Sequence, residues 1–79
     1  MKILIYGRPD CHLCDVARLQ VDALVKGVEG VEVESLDIES DDELMHLYLE
    51  RIPVVIADGE TVSELVFDPG PLRARLGIA

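Results

Sequence analysis

Apolar and polar positions change their spacing along the chain, and each change predicts a different element. The apolar run within Lys2–Tyr6 is typical of a strand buried on both faces, and Gly7-Arg8-Pro9 ends it. Apolar residues then recur at helical spacing from Cys11 to Val28, which predicts a helix with Asp10 as its cap and Gly27 or Gly30 as its end. Its apolar stripe consists of Cys14, Ala17, Val21, Leu24, Val25 and Val28.

The middle of the chain predicts a second strand and a short helix. Val31 to Ile38 alternates apolar and polar residues, which is typical of an edge strand with one solvent-exposed face. Ser40 and Glu43 have the spacing of a capping box, so a helix is expected to open at Ser40. Pro53 marks the outer limit of that helix, because the residue before a proline disfavours helical backbone.

The last third predicts a hairpin and a terminal helix. The hairpin consists of Val54–Ala57, the turn Asp58-Gly59 and a return strand from Thr61 to Phe67. Asp68-Pro69-Gly70-Pro71 then introduces a helix from Leu72 to Leu76. The order β-α-β-α-β-β-α, with parallel first strands, predicts an α/β domain over residues 1–79, with a four-stranded mixed sheet and helices on both faces.

Composition and charge narrow the class of protein. The 79 residues, 49% of them hydrophobic, fit one small domain, and no apolar run approaches the ~20 residues that cross a bilayer. Met1 to Tyr6 lacks the pattern of a secretory signal, so we expect a cytoplasmic protein with no membrane partner. The net charge of -9 disfavours nucleic acid as a partner. We expect this small acidic chain to be a monomer.

The only two cysteines, Cys11 and Cys14, form a Cys-x-x-Cys motif at the predicted step from strand to helix. Such a pair can form a reversible disulfide, and in the cytoplasm a catalytic, redox-sensing or metal-binding role is expected over a structural one. Zinc prefers a tetrahedral set of ligands, and the chain adds only His12 and His46. We therefore predict no metal site.

The two thiols are expected to differ. Cys11 lies among backbone N–H groups without partners inside the helix, which should lower the pKa of its thiol from about 8.5 towards neutrality. Cys14 lies one turn further on, in the apolar stripe, and should be more buried. Cys11 is the candidate nucleophile and Cys14 the resolving thiol, in a cycle that needs an external thiol to restore the pair.

Charged neighbours of the pair act in both directions. Arg8 favours a thiolate at Cys11, whereas Asp10 and Asp15 oppose it. His12 is either an exposed polar residue at the mouth of the site or a proton-transfer group.

Pro53 is the second informative residue, and its role stays open between a plain helix stop and a cis proline beside the thiols. The strand, the Cys-x-x-Cys motif opening a helix, Ile52-Pro53, the hairpin and the terminal helix together resemble a glutaredoxin, a compact form of the thioredoxin fold. Within that group, the segment Cys11-His12-Leu13-Cys14-Asp15-Val16-Ala17 is most similar to small bacterial glutaredoxin-like proteins.

The resemblance implies a thiol-disulfide oxidoreductase that reduces protein disulfides or glutathione mixed disulfides through Cys11 and Cys14. It also implies a cis Ile52-Pro53 bond packed against the cysteines, with the Ile52 backbone pairing to an extended substrate. Arg8 takes the position at which glutaredoxins usually carry a lysine.

Some segments depart from the glutaredoxin pattern. Arg51-Ile52 replaces the usual Thr-Val before the proline, and His12-Leu13 replaces the usual Pro-Tyr or Pro-Phe. The Gly-Gly with a following Asp that usually holds the amino end of glutathione does not occur from Val62 to Pro69, where Asp68 follows no Gly-Gly. Arg8 and Arg51 are candidate partners for a glutathione carboxylate. We expect no resident cofactor, and glutathione is a candidate co-substrate alongside a thioredoxin-type reductant.

The alternative to an enzyme is a non-catalytic thioredoxin-fold module that binds a protein. Leu13, between the cysteines, and Phe67, near the end of the hairpin, would then be contact residues, although Phe67 also fits a core position.

Overall fold

The computed structural model describes residues 1–78 and confirms the predicted order of helices and strands, with one added 3₁₀ turn at Ile38–Ser40. The strands are β1 (Lys2–Gly7), β2 (Glu32–Asp37), β3 (Val54–Ala57) and β4 (Glu60–Ser63). The helices are α1 (His12–Val25), α2 (Asp42–Tyr48) and α3 (Pro69–Leu76).

The four strands form one mixed sheet in the order β2-β1-β3-β4. Strands β1 and β2 are parallel, while β3 is antiparallel to both β1 and β4. The prediction of parallel first strands with β2 at an edge is therefore confirmed. In the register of β1 with β3, Tyr6 lies beside Val54 and Ile3 beside Ala57. The carboxyl end of β1 and the start of β3 consequently share one end of the sheet.

Helices cover both faces of the sheet, because successive side chains of a strand point to opposite sides. On one face, α1 and α3 contact each other and pack over the sheet. The buried cluster there consists of Ile3, Ile5, Ala17, Val21, Val55, Ala57, Phe67 and Leu72. Phe67 is thus a core residue. On the other face, α2 places Leu44, Met45 and Tyr48 against a smaller cluster.

The smaller cluster explains one wrong prediction. β1 was expected to be buried on both faces, but only Ile3, Ile5 and Gly7 are buried, whereas Leu4 and Tyr6 are half-buried. α2 is a single short helix, so it shields its face of β1 incompletely.

Both predicted N-terminal caps are wrong by one residue. Asp10 has φ of 59° and precedes the cap, and Cys11, with extended backbone, caps α1. α2 is capped by Asp41, whose carboxylate accepts hydrogen bonds from the N–H groups of Glu43 and Leu44. Ser40 lies in the 3₁₀ turn instead, where its hydroxyl donates to the Asp37 carbonyl.

Two predicted elements are too long. α1 ends at Val25 and does not reach Val28, because Gly27, one of its two expected ends, turns the chain with φ of 81°. The return strand of the hairpin ends at Ser63, since Leu65 has φ of 62° and so leaves the extended conformation. None of the helices within residues 1–78 has the length and hydropathy to span a bilayer.

We predict that Leu72→Ala lowers the free energy of unfolding by about 2–5 kcal/mol, because the Leu72 side chain is fully buried between α1 and the sheet. Urea unfolding followed by circular dichroism measures the change. Leu19→Ala is the matched control, since Leu19 is 70% exposed on α1. Equal losses in the two variants would contradict this account of the core.

Candidate functional site

The cysteine pair lies at the end of the sheet where β1 stops and β3 starts. Gly7 ends β1, and the loop that follows leads directly to Cys11 at the start of α1. Since Tyr6 lies beside Val54, Pro53 reaches the same end of the sheet from the other side. The register of two strands thus brings together the motif and the proline that the sequence analysis singled out.

Cys11 and Cys14 are joined by a disulfide, with their Cα atoms 5.2 Å apart. The Cys11 sulfur also caps α1, because it accepts a hydrogen bond from the Cys14 N–H at 3.2 Å. Cys11 is half-buried and Cys14 is only 8% exposed. The expected difference in burial is therefore present, with Cys11 the more exposed residue at the helix start and Cys14 the more buried one.

Gly7 makes the position of Cys14 possible. A Cβ atom at Gly7 would lie 3.0 Å from both the Cβ and the Sγ of Cys14, closer than nearly all contacts of real side chains. Sequence reasoning treated Gly7 only as the end of a strand. The available signal was a glycine on a buried strand, which often marks a close approach of other atoms.

The Ile52-Pro53 peptide bond is cis, as the family resemblance implied. Pro53 is fully buried, and Ile52 belongs to the same buried cluster as Cys14, with Cys11 packed against that cluster. The Ile52 N–H donates to the Tyr48 carbonyl at 3.1 Å. If Ile52 forms a backbone hydrogen bond with a substrate strand, it therefore does so through its carbonyl group.

The Arg51 side chain contacts Tyr48, which precedes it in the sequence, and Glu64, which follows it. Its guanidinium forms an ion pair with the Glu64 carboxylate and lies 5.2 Å from the centre of the Tyr48 ring. The hydrogen bond with Arg51 lowers the pKa of the Glu64 carboxyl, and the same bond raises the Arg51 pKa. The sequence analysis proposed Arg51 as a substrate contact but gave no role to Glu64.

Tyr48 of α2 also stacks on Tyr6 of β1. The rings of Tyr6 and Tyr48 are stacked, with centroids 4.8 Å apart and planes 13° from parallel. Burial is the main reason that the pKa of the Tyr6 phenol is raised, followed by the nearby Tyr48 and Glu34. The stack was missed because Tyr6 stands in an apolar run, where it fits an ordinary core position.

The remaining predicted contact residues lie at the surface. Arg8, His12 and Leu13 are all exposed, and Leu13 is 46% exposed. Arg8 and Cys14 also line an open cleft of about 280 Å³ between α1 and the ends of β1 and β2. Within residues 1–78, no group of three or more His, Cys, Asp or Glu side chains is arranged to hold a metal ion.

The loop after β4 places two exposed apolar residues, Leu65 and Val66, beside the Ile52-Pro53 segment. The Leu65 N–H donates to the Arg51 carbonyl at 3.0 Å, which fixes this loop beside the Ile52-Pro53 segment. Leu65 is 52% exposed and Val66 is 70% exposed. Sequence reasoning placed both in a strand, so their exposure beside the site was not anticipated.

These features define a thioredoxin-fold protein with a Cys-x-x-Cys pair at the start of its first helix. Residues 2–77 match the family described as Glutaredoxin-like domain (DUF836), and the chain belongs to that family. No curated protein matches the chain in sequence.

Solved structures agree with this assignment. Protein Ne2328 from Nitrosomonas europaea is 29% identical with a TM-score of 0.80, over 94% of this chain and 88% of that one. Protein XcR50 from X. campestris is 32% identical with a TM-score of 0.72, over 98% and 97% of the two chains. A mutant of the thioredoxin-like protein BC3987 is 27% identical with a TM-score of 0.68, over 98% and 96%.

We predict that Gly7→Ala destabilises the protein by about 1–3 kcal/mol, because the added methyl group must displace the enclosed Cys14 side chain. Gly70→Ala is the control, since its new Cβ would meet only the exposed Asp68 carboxylate, at 3.3 Å. Urea unfolding of both oxidised variants provides the comparison. A Gly7→Ala protein as stable as the wild type would show that the site accommodates the contact.

The Arg51–Glu64 ion pair gives a second prediction. Because the Glu64 pKa is lowered in the folded protein, its carboxylate contributes stability above the ordinary carboxyl pKa, and this contribution is lost as the pH falls through the lowered value. NMR titration of the Glu64 side chain should give a higher pKa in Arg51→Gln than in the wild type. Arg75→Gln, which breaks the Arg75–Glu60 ion pair instead, is the control and should leave the Glu64 titration unchanged. An unchanged Glu64 titration in Arg51→Gln would contradict the pairing in solution.

Proposed function

We propose that this protein is a thiol-disulfide oxidoreductase that reduces disulfides by a dithiol mechanism through Cys11 and Cys14. The observation that carries the proposal is the position of the Cys11 sulfur, which accepts the Cys14 N–H at the start of α1. In the reduced protein, a thiolate at this position would keep a backbone donor and gain from the positive end of the helix dipole.

In the first step, the Cys11 thiolate attacks one sulfur of a substrate disulfide. The substrate S–S bond breaks, the leaving thiolate takes up a proton, and Cys11 is left in a mixed disulfide. The Cys14 thiol then loses its proton and attacks the Cys11 sulfur. This step forms the Cys11–Cys14 bond and releases the second substrate thiol. The pair has given two electrons to the substrate, and two equivalents of an external thiol return them.

The surroundings of the pair support these separate roles. Cys14 is enclosed by Gly7 and Ile52, so a bulky disulfide reaches the Cys11 sulfur more easily. The buried side chains of Ile52 and Pro53 support the thiols from the protein side, and a substrate chain would pair with this segment through the Ile52 carbonyl. Arg8 and His12 lie exposed at the mouth, where Arg8 adds positive charge.

We propose disulfide-bearing proteins and glutathione mixed disulfides as the substrate classes. Leu13, Leu65 and Val66 expose apolar side chains, and we propose that they form one contact patch for a protein substrate, since contiguous exposed apolar patches mark interaction sites. The same residues are the specific observation in favour of the second candidate function, a binding module that performs no thiol chemistry. The two functions differ in whether Cys11 forms mixed disulfides.

The test is to replace Cys14 by Ser, which removes the resolving thiol. We expect Cys14→Ser to accumulate a one-to-one mixed disulfide on Cys11 when it is mixed with glutathione disulfide or with a disulfide-bonded protein such as insulin, as measured by intact-mass spectrometry. Cys11→Ser is the matched control and should trap far less.

Two results would contradict the enzyme assignment. One is equal trapping by both variants, which would remove the distinction between nucleophile and resolving thiol. The other is a wild-type protein that turns over neither substrate. The binding-module function would then be the better explanation of the exposed apolar residues.

A further inference from the structure

Arg51 directly precedes Ile52-Pro53 in the sequence, and its positive charge already forms an ion pair within the protein. The guanidinium forms its ion pair with Glu64 while its plane lies near the Tyr48 ring. The Arg51 carbonyl accepts the Leu65 N–H at 3.0 Å. Glu64 therefore pairs with the Arg51 side chain, and Leu65 pairs with the Arg51 backbone.

This ion pair remains open to solvent and to ligands. The side chain of Arg51 is 43% exposed and that of Glu64 is 36% exposed. Exposed ion pairs contribute little to stability, so another carboxylate can exchange with Glu64 at small cost. Any carboxylate that approaches Arg51 nevertheless has to compete with Glu64, in a chain whose net charge is already -9.

We propose that Glu64 is a specificity-determining residue: by occupying Arg51, it disfavours disulfides that carry a carboxylate near the reacting sulfur relative to those that carry an ammonium group. The inference rests on the proposed oxidoreductase function and names the substrate charge that this site selects. Glutathione belongs to the disfavoured class because it carries two carboxylates and one ammonium group. Cysteamine, which carries only an ammonium group, belongs to the favoured class.

The chain contains a matched control for this ion pair. Glu60 on β4 pairs with Arg75 of α3, so the residue types are the same and the hairpin is the same. Glu60 lies beside Ala57, and Ala57 lies beside Ile3, at the end of the sheet away from the cysteines. Glu60→Gln therefore changes the net charge as Glu64→Gln does, without changing the site.

The experiment compares two mixed disulfides of one neutral peptide, formed with glutathione or with cysteamine, as substrates of the full chain. We expect Glu64→Gln to raise the ratio of kcat/KM for the glutathione substrate to that for the cysteamine substrate about threefold to fivefold, the upper part of the range that an exposed charge pair commonly gives. Glu60→Gln should leave the ratio within about twofold of the wild type. The double variant Arg51→Gln/Glu64→Gln should return to the wild-type ratio, because no free cation remains at residue 51.

The inference is overturned if Glu64→Gln leaves the ratio unchanged, or if Glu60→Gln raises it equally, since the effect would then come from net charge. A double variant that keeps the raised ratio would also overturn it, because the gain would not depend on Arg51.

Binding of S-methylglutathione separates this inference from the proposed function, because that compound has no reactive thiol. NMR titration should show about threefold to fivefold tighter binding to Glu64→Gln than to wild type or Glu60→Gln. Tighter binding without turnover of any disulfide would support the role of Glu64 and refute the oxidoreductase. Turnover with no change in binding or in the substrate ratio would support the oxidoreductase and refute the role of Glu64.

Discussion

The antiparallel pairing of β3 with β1 determines which residues meet at the site. Its register sets Tyr6 beside Val54, so that Gly7 and Pro53, the next residues outward, reach the same end of the sheet. A shift of one residue would turn every side chain of β3 to the opposite face and would move Pro53 away from the thiols. Side chains on both faces hold this register, since Val55 packs beneath α1 and Val54 packs beneath α2.

Gly7 connects the two layers of the core at the site. α1 belongs to one face, where Ala17 and Val21 are buried, yet Cys14 of the same helix joins the cluster on the other face. The helix achieves this because the strand ends in a residue without a side chain, and Cys14 passes beside it. Cys14 thus joins α1 to a buried cluster that contains Ile38, Ile52 and Val54.

The fold was largely predictable because its signals are local and strong. Helical spacing in α1, the apolar strand β3 and the Asp58-Gly59 turn each agree with the structure, and both turn residues have positive φ. The caps were less predictable, since neighbouring residues compete for the same role. Serine and aspartate are both common helix caps, so residue type alone did not separate Ser40 from Asp41, and the backbone conformation at each position decides between them.

The site was predictable where it depends on sequence neighbours and not where it depends on distant ones. Cys11 and Cys14 lie in one helical turn, so their asymmetry follows from helix geometry. The Arg51–Glu64 pair joins residues that are separated by the whole hairpin. The register of β3 and β4 shifts between Val55 and Ile56, so residue spacing alone does not show which side chains meet beyond the turn.

The two edge strands of the sheet, β2 and β4, bear on whether the sheet can pair with a second chain. An unpaired strand edge can recruit a second chain, which would bury or misplace nearby groups. β2 presents exposed Glu32 and Glu34, both paired with Lys2 of β1, and charged side chains on an edge strand disfavour its pairing with another chain. β4 has only four residues and an irregular register. Both edges of the sheet therefore disfavour edge-to-edge pairing with another copy of the chain.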